Sequence, residues 1–371
     1  MLTRWRKERE IGGFFEFPIF DCDDPKKTVL HYLENSAGRN NYIFVQDGRQ
    51  AIKMVLMQIK NIRCRSCYLP AYLCHSIIQP FRELGLNISF YGHKHPLKPS
   101  FEEDVHESVV LIIDHFGTEF VSAKKIRGLL KQGNSVILDI THSILDCTRM
   151  ELCHENLYYI ASLRKIFPIP DGAVIFLSHN HSIDELDCSL SCMPMIDAMV
   201  LKNFYLNGLE HAEPTNTHYK YDKKLFLSLY SRHEETKNTQ FIKIRKMPLI
   251  SLMILSKLNL DALLEKRNQN FLTIYENAAD KRIFLFFHQD IKSPFMIPLC
   301  FRDVNERDSF KKVFIKNNIY PPIHWQIEGF VPGSFRYEHE LSRRILSIPI
   351  DQRYSSEDML KIINIIKGNV Q

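Results

Sequence analysis

Several familiar signatures are missing from this chain of 371 residues, and each absence removes a class of function. No apolar run approaches the roughly 20 residues of a membrane-spanning helix. The longest, around 109–113, is strand-sized, so no membrane partner is expected. The N-terminus, Met1-Leu-Thr-Arg-Trp-Arg-Lys-Glu-Arg-Glu10, is charged and lacks the apolar core of a secretory leader, which makes the cytoplasm the expected location. Neither sign of charge dominates: 48 Lys and Arg stand against 43 Asp and Glu, with no basic tail or stripe, so nucleic acid is not an expected partner. Neither a Walker loop nor a GxGxxG fingerprint occurs. Cys64-Arg-Ser-Cys67 is a CxxC with Cys74-His75 close behind, but no second pair exists to close a tetrahedral zinc site. Cys188 and Cys192, at helical spacing, also lack a partner set, so no metal is expected. Nine cysteines, odd in number and irregularly spaced, fit a reducing compartment.

What is present is an ordinary globular composition, 45% hydrophobic and 25% charged, on a chain long enough for two domains. From about 42 to 145, apolar strand-length runs alternate with helices of roughly ten residues. Strands are expected at 42–45, 67–71, 87–91, 109–114 and 135–139, with helices at 51–59, 73–84 and 122–132. That order implies a mostly parallel sheet covered by helices on both faces, with ligands at the carboxyl ends of its strands. A long helical pattern over 249–276, breaking near Leu260-Asp261, leads into a small α+β region: strand 295–301, helix 306–317, strand 345–349 and helix 355–367 capped by Ser356. We expect a large domain over residues 1–250 and a small C-terminal one over 251–371. Residues 178–240 are polar and hard to read, with helix 223–233 their clearest element.

The most informative stretch is 158–176, two apolar strands joined by a tight loop that Pro168, Pro170 and Gly172 punctuate. The loop carries Lys165. Burial disfavours an ammonium and makes an amine nucleophilic, as a Schiff-base lysine requires. Two further features precede it. Asp47-Gly48-Arg49-Gln50 stands between a strand and a helix, where free N–H groups accept an anion. Asp139 ends an apolar strand, where an unpaired carboxylate calls for a cation. Phosphate anchor, ring-nitrogen partner and lysine are the fixed contacts of pyridoxal phosphate.

On these residues the chain resembles the DegT-type sugar-nucleotide aminotransferases, PLP enzymes of the aspartate-aminotransferase fold type I. The resemblance runs from about residue 12 to the end. Its specific part is Asp139-Ile-Thr-His142 followed, about 25 residues on, by Ser162-Leu-Arg-Lys165. Gly12-Gly13, Leu69-Pro-Ala-Tyr-Leu-Cys74, Asp114-His-Phe-Gly117, Arg245-Lys-Met-Pro248 and Ile319-Tyr-Pro-Pro-Ile-His-Trp325 support it. The resemblance implies the cofactor pyridoxal 5'-phosphate and a homodimer. It implies amino transfer from glutamate to a keto-sugar nucleotide in polysaccharide or glycoconjugate biosynthesis. Lys165 then matches the cofactor lysine, Asp139 the ring-nitrogen partner and His142 the residue beside the ring hydroxyl. Ser162 and Gly48-Arg49 match the phosphate ligands. Gly13, Phe14, Tyr72, His115, His324 and Trp325 are candidates for the substrate cleft.

The sequence also departs from that pattern. Arg49 stands where a hydroxyl residue is usual, and Cys74 falls near the position of the aromatic that stacks on the cofactor ring, so Tyr72, His75 or His115 is the alternative there. A transaminase or decarboxylase for a small phosphorylated ketone or an amino acid, and a PLP-fold protein without catalysis, are the other outcomes these residues allow.

Overall fold

A computed structural model describes residues 10–20, 25–36, 41–101, 105–117, 121–178, 186–187, 192–211, 218–277, 291 and 293–369. Its strands in chain order are β1 (Ile11–Gly12), β2 (Asn41–Val45), β3 (Ser66–Pro70), β4 (Asn87–Lys94), β5 (Lys98–Ser100), β6 (Val109–Ile113) and β7 (Ser135–Asp139). They continue with β8 (Leu157–Ser162), β9 (Ala173–Leu177), β10 (Met296–Cys300), β11 (Ile319–Tyr320) and β12 (Ile345–Pro349). Eight of them form one sheet in the order β2-β9-β8-β7-β6-β3-β4-β5. Strands β4, β3, β6, β7 and β8 are mutually parallel, and β9 runs against both β8 and β2. Six strands therefore point the same way and deliver their carboxyl ends to one edge of the sheet.

The sequence explains this order. Every residue of β6, β7 and β9 is buried, as expected of strands covered on both faces. The helices Ile78–Glu83 and Ala123–Lys131 each bury one apolar face, whereas Gly48–Gln58 is buried all round from Gln50 to Leu56. The expected helix at 51–59 starts earlier, at Gly48, because Asp47 caps it by accepting from the Gln50 N–H at 3.0 Å. The expected helix at 73–84 is shorter: a 3-10 turn, His75–Ile77, precedes Ile78–Glu83.

The break expected near residue 260 is present, between helices Leu249–Leu255 and Leu260–Asn277. The latter helix straddles two cores. Leu260 and Leu263 lie in the larger one with the eight-stranded sheet. Phe271 and Ile274 lie in a smaller one with β10, β12 and the last helix, Ser356–Asn369. Segment 10–17 bridges them: β1 pairs in parallel with β11, and a Cβ on Gly12 (φ +111°) would lie 2.5 Å from the Tyr320 carbonyl oxygen. The readable part of 178–240 is a helical hairpin, Met193–His211 and His218–Thr239. Cys188 lies outside the described residues.

One local expectation is corrected. Ser355, not Ser356, caps the last helix: its Oγ accepts from the Asp358 N–H at 3.3 Å, and the Asp358 carboxylate accepts from the Ser355 N–H at 2.8 Å. This reciprocal pair satisfies a free donor on each side. Ser355→Ala is expected to cost about 1 kcal/mol and Ser356→Ala a few tenths at most. Urea denaturation of the two variants checks the order.

Candidate active site

The carboxyl ends of β2, β7 and β8 lead into Gly48, Asp139 and the Ser162–Lys165 turn. Asp139, 8% exposed, closes β7. Its Oδ1 accepts from the Thr141 N–H at 2.9 Å, and the Thr141 hydroxyl in turn accepts from the Ser162 N–H at 2.9 Å. No cationic side chain among the described residues pairs with this carboxylate. Past Ser162 the chain makes a 3-10 turn, Leu163–Lys165, held by the Leu163 N–H on the Gly172 carbonyl (2.9 Å) and the Phe167 N–H on the Leu163 carbonyl (2.9 Å). Lys165, half-buried, ends that turn, and its ammonium makes no hydrogen bond or ion pair among the described residues.

Gly48 opens its helix beside Ser162. A Cβ at Gly48 would lie 3.3 Å from the Ser162 Cβ and 3.6 Å from its hydroxyl, so the glycine lets the helix start and the strand end meet. The first N–H groups of that helix have no intrahelical partner, and its positive end favours an anion. The Arg49 guanidinium is committed elsewhere, to the Lys237 carbonyl and to Asn238 Oδ1 at 2.6 Å. Behind the lysine turn lies a buried ion network that sequence reasoning missed. Asp171, fully buried, receives Lys237, lies 3.4 Å from His233 and 3.9 Å from Arg164, and accepts from Gln46 at 3.3 Å. Burial pushes its carboxyl up, but Lys237, His233 and Arg164 outweigh that and hold it well below the usual range. Arg164, next to Lys165, also pairs with Glu234 at 3.0 Å.

On the other side sits a group of rings. His142 Nδ1 accepts from the Phe116 N–H at 2.9 Å, and its ring stacks on Phe295 at 4.1 Å and 7°. Trp325 lies 5.7 Å from His142 and nearly parallel. Gly117 (φ +71°) makes the close approach possible, since a Cβ there would be 2.8 Å from the His142 carbonyl oxygen. Tyr72 donates its hydroxyl to the His324 carbonyl, His324 Nδ1 meets the Ser347 hydroxyl at 2.8 Å, and His115 Nε2 lies 2.7 Å from the Tyr72 carbonyl oxygen. Cys74 lies 3.1 Å from the Ser76 hydroxyl, and His75 packs edge-on against Phe330. Gly13 and Phe14 are held by Arg353, which donates to both their carbonyls (3.2 and 3.1 Å), while the Phe14 ring stacks on Tyr230 at 4.5 Å.

Three of these imidazoles are held neutral. Burial pushes His142 well below its usual value, aided by the Lys165 ammonium and by His324. Burial likewise lowers His115 to about 3, with His93 adding to it, and His324 to about 3, with Lys165 adding to it. An unfolded chain regains a histidine value of 6.5 and so binds more protons than the folded one below that pH. Stability is therefore expected to fall as pH drops from 6.5 toward 3. Above the carboxylate value of 4.5 the histidines dominate that loss. Urea midpoints between pH 7 and 5 measure it, and His115→Phe should flatten the slope; an unchanged midpoint across that range would contradict the burial assigned to these rings.

Among the described residues no group of three or more His, Cys, Asp or Glu could hold a metal ion, and no helix is long and apolar enough to cross a membrane. The mostly parallel eight-stranded sheet, in which β5 and β9 run against their neighbours, and the small C-terminal α+β unit are the architecture expected of PLP-dependent transferase fold type I. The comparisons narrow this. A Streptococcus pneumoniae protein described as a sugar aminotransferase superposes with a TM-score of 0.64 over 96% of this chain and 97% of its own, at 12% identity. It has also been solved in a PMP form. A DegT DnrJ EryC1 StrS aminotransferase from Brucella abortus gives 0.57 over 93% and 91%, at 15% identity. DesI, solved in the presence of its TDP-sugar product, gives 0.56 over 91% and 83%, at 12% identity. No family model and no curated protein matches the sequence. The chain thus has the fold of the sugar aminotransferases.

Proposed function

We propose that this protein is a PLP-dependent aminotransferase that moves an amino group from glutamate to a keto-sugar nucleotide, in the cytoplasm, for polysaccharide or glycoconjugate synthesis. The observation that carries the reading is the placement of a buried carboxylate, Asp139, and a lysine, Lys165, neither with a charge partner among the described residues, around one strand edge beside the Gly48–Ser162 contact. The donor set fits the cofactor: an acid for its ring nitrogen, N–H groups and a hydroxyl for its phosphate, an amine for its aldehyde. Fold neighbours solved in a PMP form or with a TDP-sugar product support the cofactor and the substrate class.

Bound pyridoxal phosphate supplies an electron sink for the pair released when a substrate C–H bond breaks. The rest falls to the chain. Asp139 would face the ring nitrogen and keep it protonated. The first N–H groups of helix Gly48–Gln58 and the Ser162 hydroxyl would hold the phosphate. His142, neutral, would serve as a hydrogen-bonding partner for the ring hydroxyl. Lys165 Nζ takes the proton from the glutamate α-carbon, and in the second half it delivers a proton to the sugar carbon that gains the amine. The balance is glutamate plus ketone giving 2-oxoglutarate plus amine, with no oxidant. Gly13, Phe14, Tyr72, His115, His324 and Trp325 would line the substrate side, with Cys74 toward the cofactor. A homodimer completes the site.

Protein loaded with PLP and mixed with glutamate should release one 2-oxoglutarate per site without a ketone present. Asp139→Ala should slow that step on the order of 10²–10⁴-fold, the range of a lost group that assists proton transfer. Lys165→Ala should lose covalent attachment of the cofactor under borohydride. Release of carbon dioxide instead of 2-oxoglutarate would replace amino transfer with decarboxylation.

A further inference from the structure

Among the described residues Arg267 is the largest fully buried side chain, 1% exposed on helix Leu260–Asn277, and no carboxylate there lies within ion-pair distance of it. Burial pulls its guanidinium down to about 10, against the more distant Asp351 that raises it. An apolar side chain would pack this helix at lower cost, so packing alone does not account for a cation here. Its donors account for it. Nη2 donates to the carbonyls of Pro294 and Phe295, both at 3.0 Å, and Nη1 to Gln352 Oε1 at 2.9 Å.

Both recipients lead to the lysine turn. A guanidinium only donates, so it fixes the Gln352 amide with oxygen inward and Nε2 outward. That Nε2 donates to the Ile166 carbonyl at 3.1 Å, one residue past Lys165. Phe295, whose own N–H donates to the Phe116 carbonyl at 3.3 Å, lays its ring on His142. The loop that carries Gln352 is anchored separately: Asn270, one turn along the helix, donates to the carbonyls of Ile350, Asp351 and Tyr354 at 3.3, 3.1 and 3.0 Å. The Gln352 bond to Ile166 is therefore not what folds that loop.

From this geometry we infer that Arg267 is a positioning residue for Lys165, setting the lysine turn through Gln352 and the His142 ring through Phe295. The inference rests on the reading of Lys165 as the cofactor-bearing amine. Competitive acetylation tests it in the whole protein without cofactor. Acetic anhydride is applied across a pH series and the rate at Lys165 is followed by peptide mass spectrometry. Gln352→Ala and Arg267→Met should each raise the Lys165 rate about tenfold, the scale of a reacting group freed from its held position, and the double variant should match Arg267→Met. Arg267→Lys, which can keep the Gln352 contact but cannot span all three acceptors, should fall between. A Gln352→Ala rate equal to the unaltered protein's, or full additivity in the double variant, would overturn the brace. Should Arg267→Met fail to fold, Gln352→Ala decides alone. Borohydride trapping of PLP on Lys165 in the unaltered protein is run beside it: its absence removes the cofactor reading and leaves the labelling comparison standing.

Discussion

A carboxylate at the end of a strand covered on both faces must be answered by hydrogen bonds or by opposite charge, and the site is arranged around that demand at Asp139. The answer among the described residues is one N–H, from Thr141. The same residue passes the constraint on, because its hydroxyl takes the Ser162 N–H and Ser162 abuts Gly48. Three strand ends are thereby held in register by two hydrogen bonds and one close approach. The carboxylate that would face a ring nitrogen is also the start of the chain of contacts that sets the lysine turn.

Charge around Lys165 is divided by side. Toward Asp171 lie fixed ions: Lys237, Arg164 and Glu234 are paired, and Arg164 ties the residue before the lysine to helix His218–Thr239. Toward Trp325 lie rings whose burial keeps them uncharged, His142 and His324 among them. An ammonium between these halves has no carboxylate to neutralise it among the described residues, and protonating either histidine would set like charges together.

The fold was largely legible, because strands buried on both faces read as apolar runs and their alternation with helices dictates a parallel sheet. Lys165 and Asp139 stand out in the sequence for the opposite reason: each is a costly residue in an apolar context. What could not be read were contacts made by topology. Gly48 meets Ser162 only because β9 reverses and seats β2 beside it. Phe295 meets His142 within the larger core from a segment far along the chain, and nothing near either residue marks the pair. Arg267 falls in an amphipathic pattern where arginine reads as solvent-facing. The hairpin of Met193–His211 and His218–Thr239 gave little periodic signal because its two helices cover one another. The Ser355 cap was missed by a single position, since adjacent serines are equivalent until Asp358 chooses between them.

Arg49, which departs from the pattern of the family the sequence resembles, is absorbed by contacts away from the proposed anion site. A hydroxyl there would contact an anion directly, whereas the guanidinium reaches the end of helix His218–Thr239 at Lys237 and Asn238. Holding that end keeps Lys237 on Asp171 and 3.8 Å from Asp47, the residue that caps the anion-facing helix. Asp47 is itself an anion beside the turn, and without Lys237 its charge would oppose a phosphate. The exchange therefore moves positive charge from the turn to its flank: Arg49 binds the helix, the helix supplies Lys237, and Lys237 offsets Asp47. The turn is left with its backbone N–H groups and the Ser162 hydroxyl, a set that accepts an anion by direction as much as by charge.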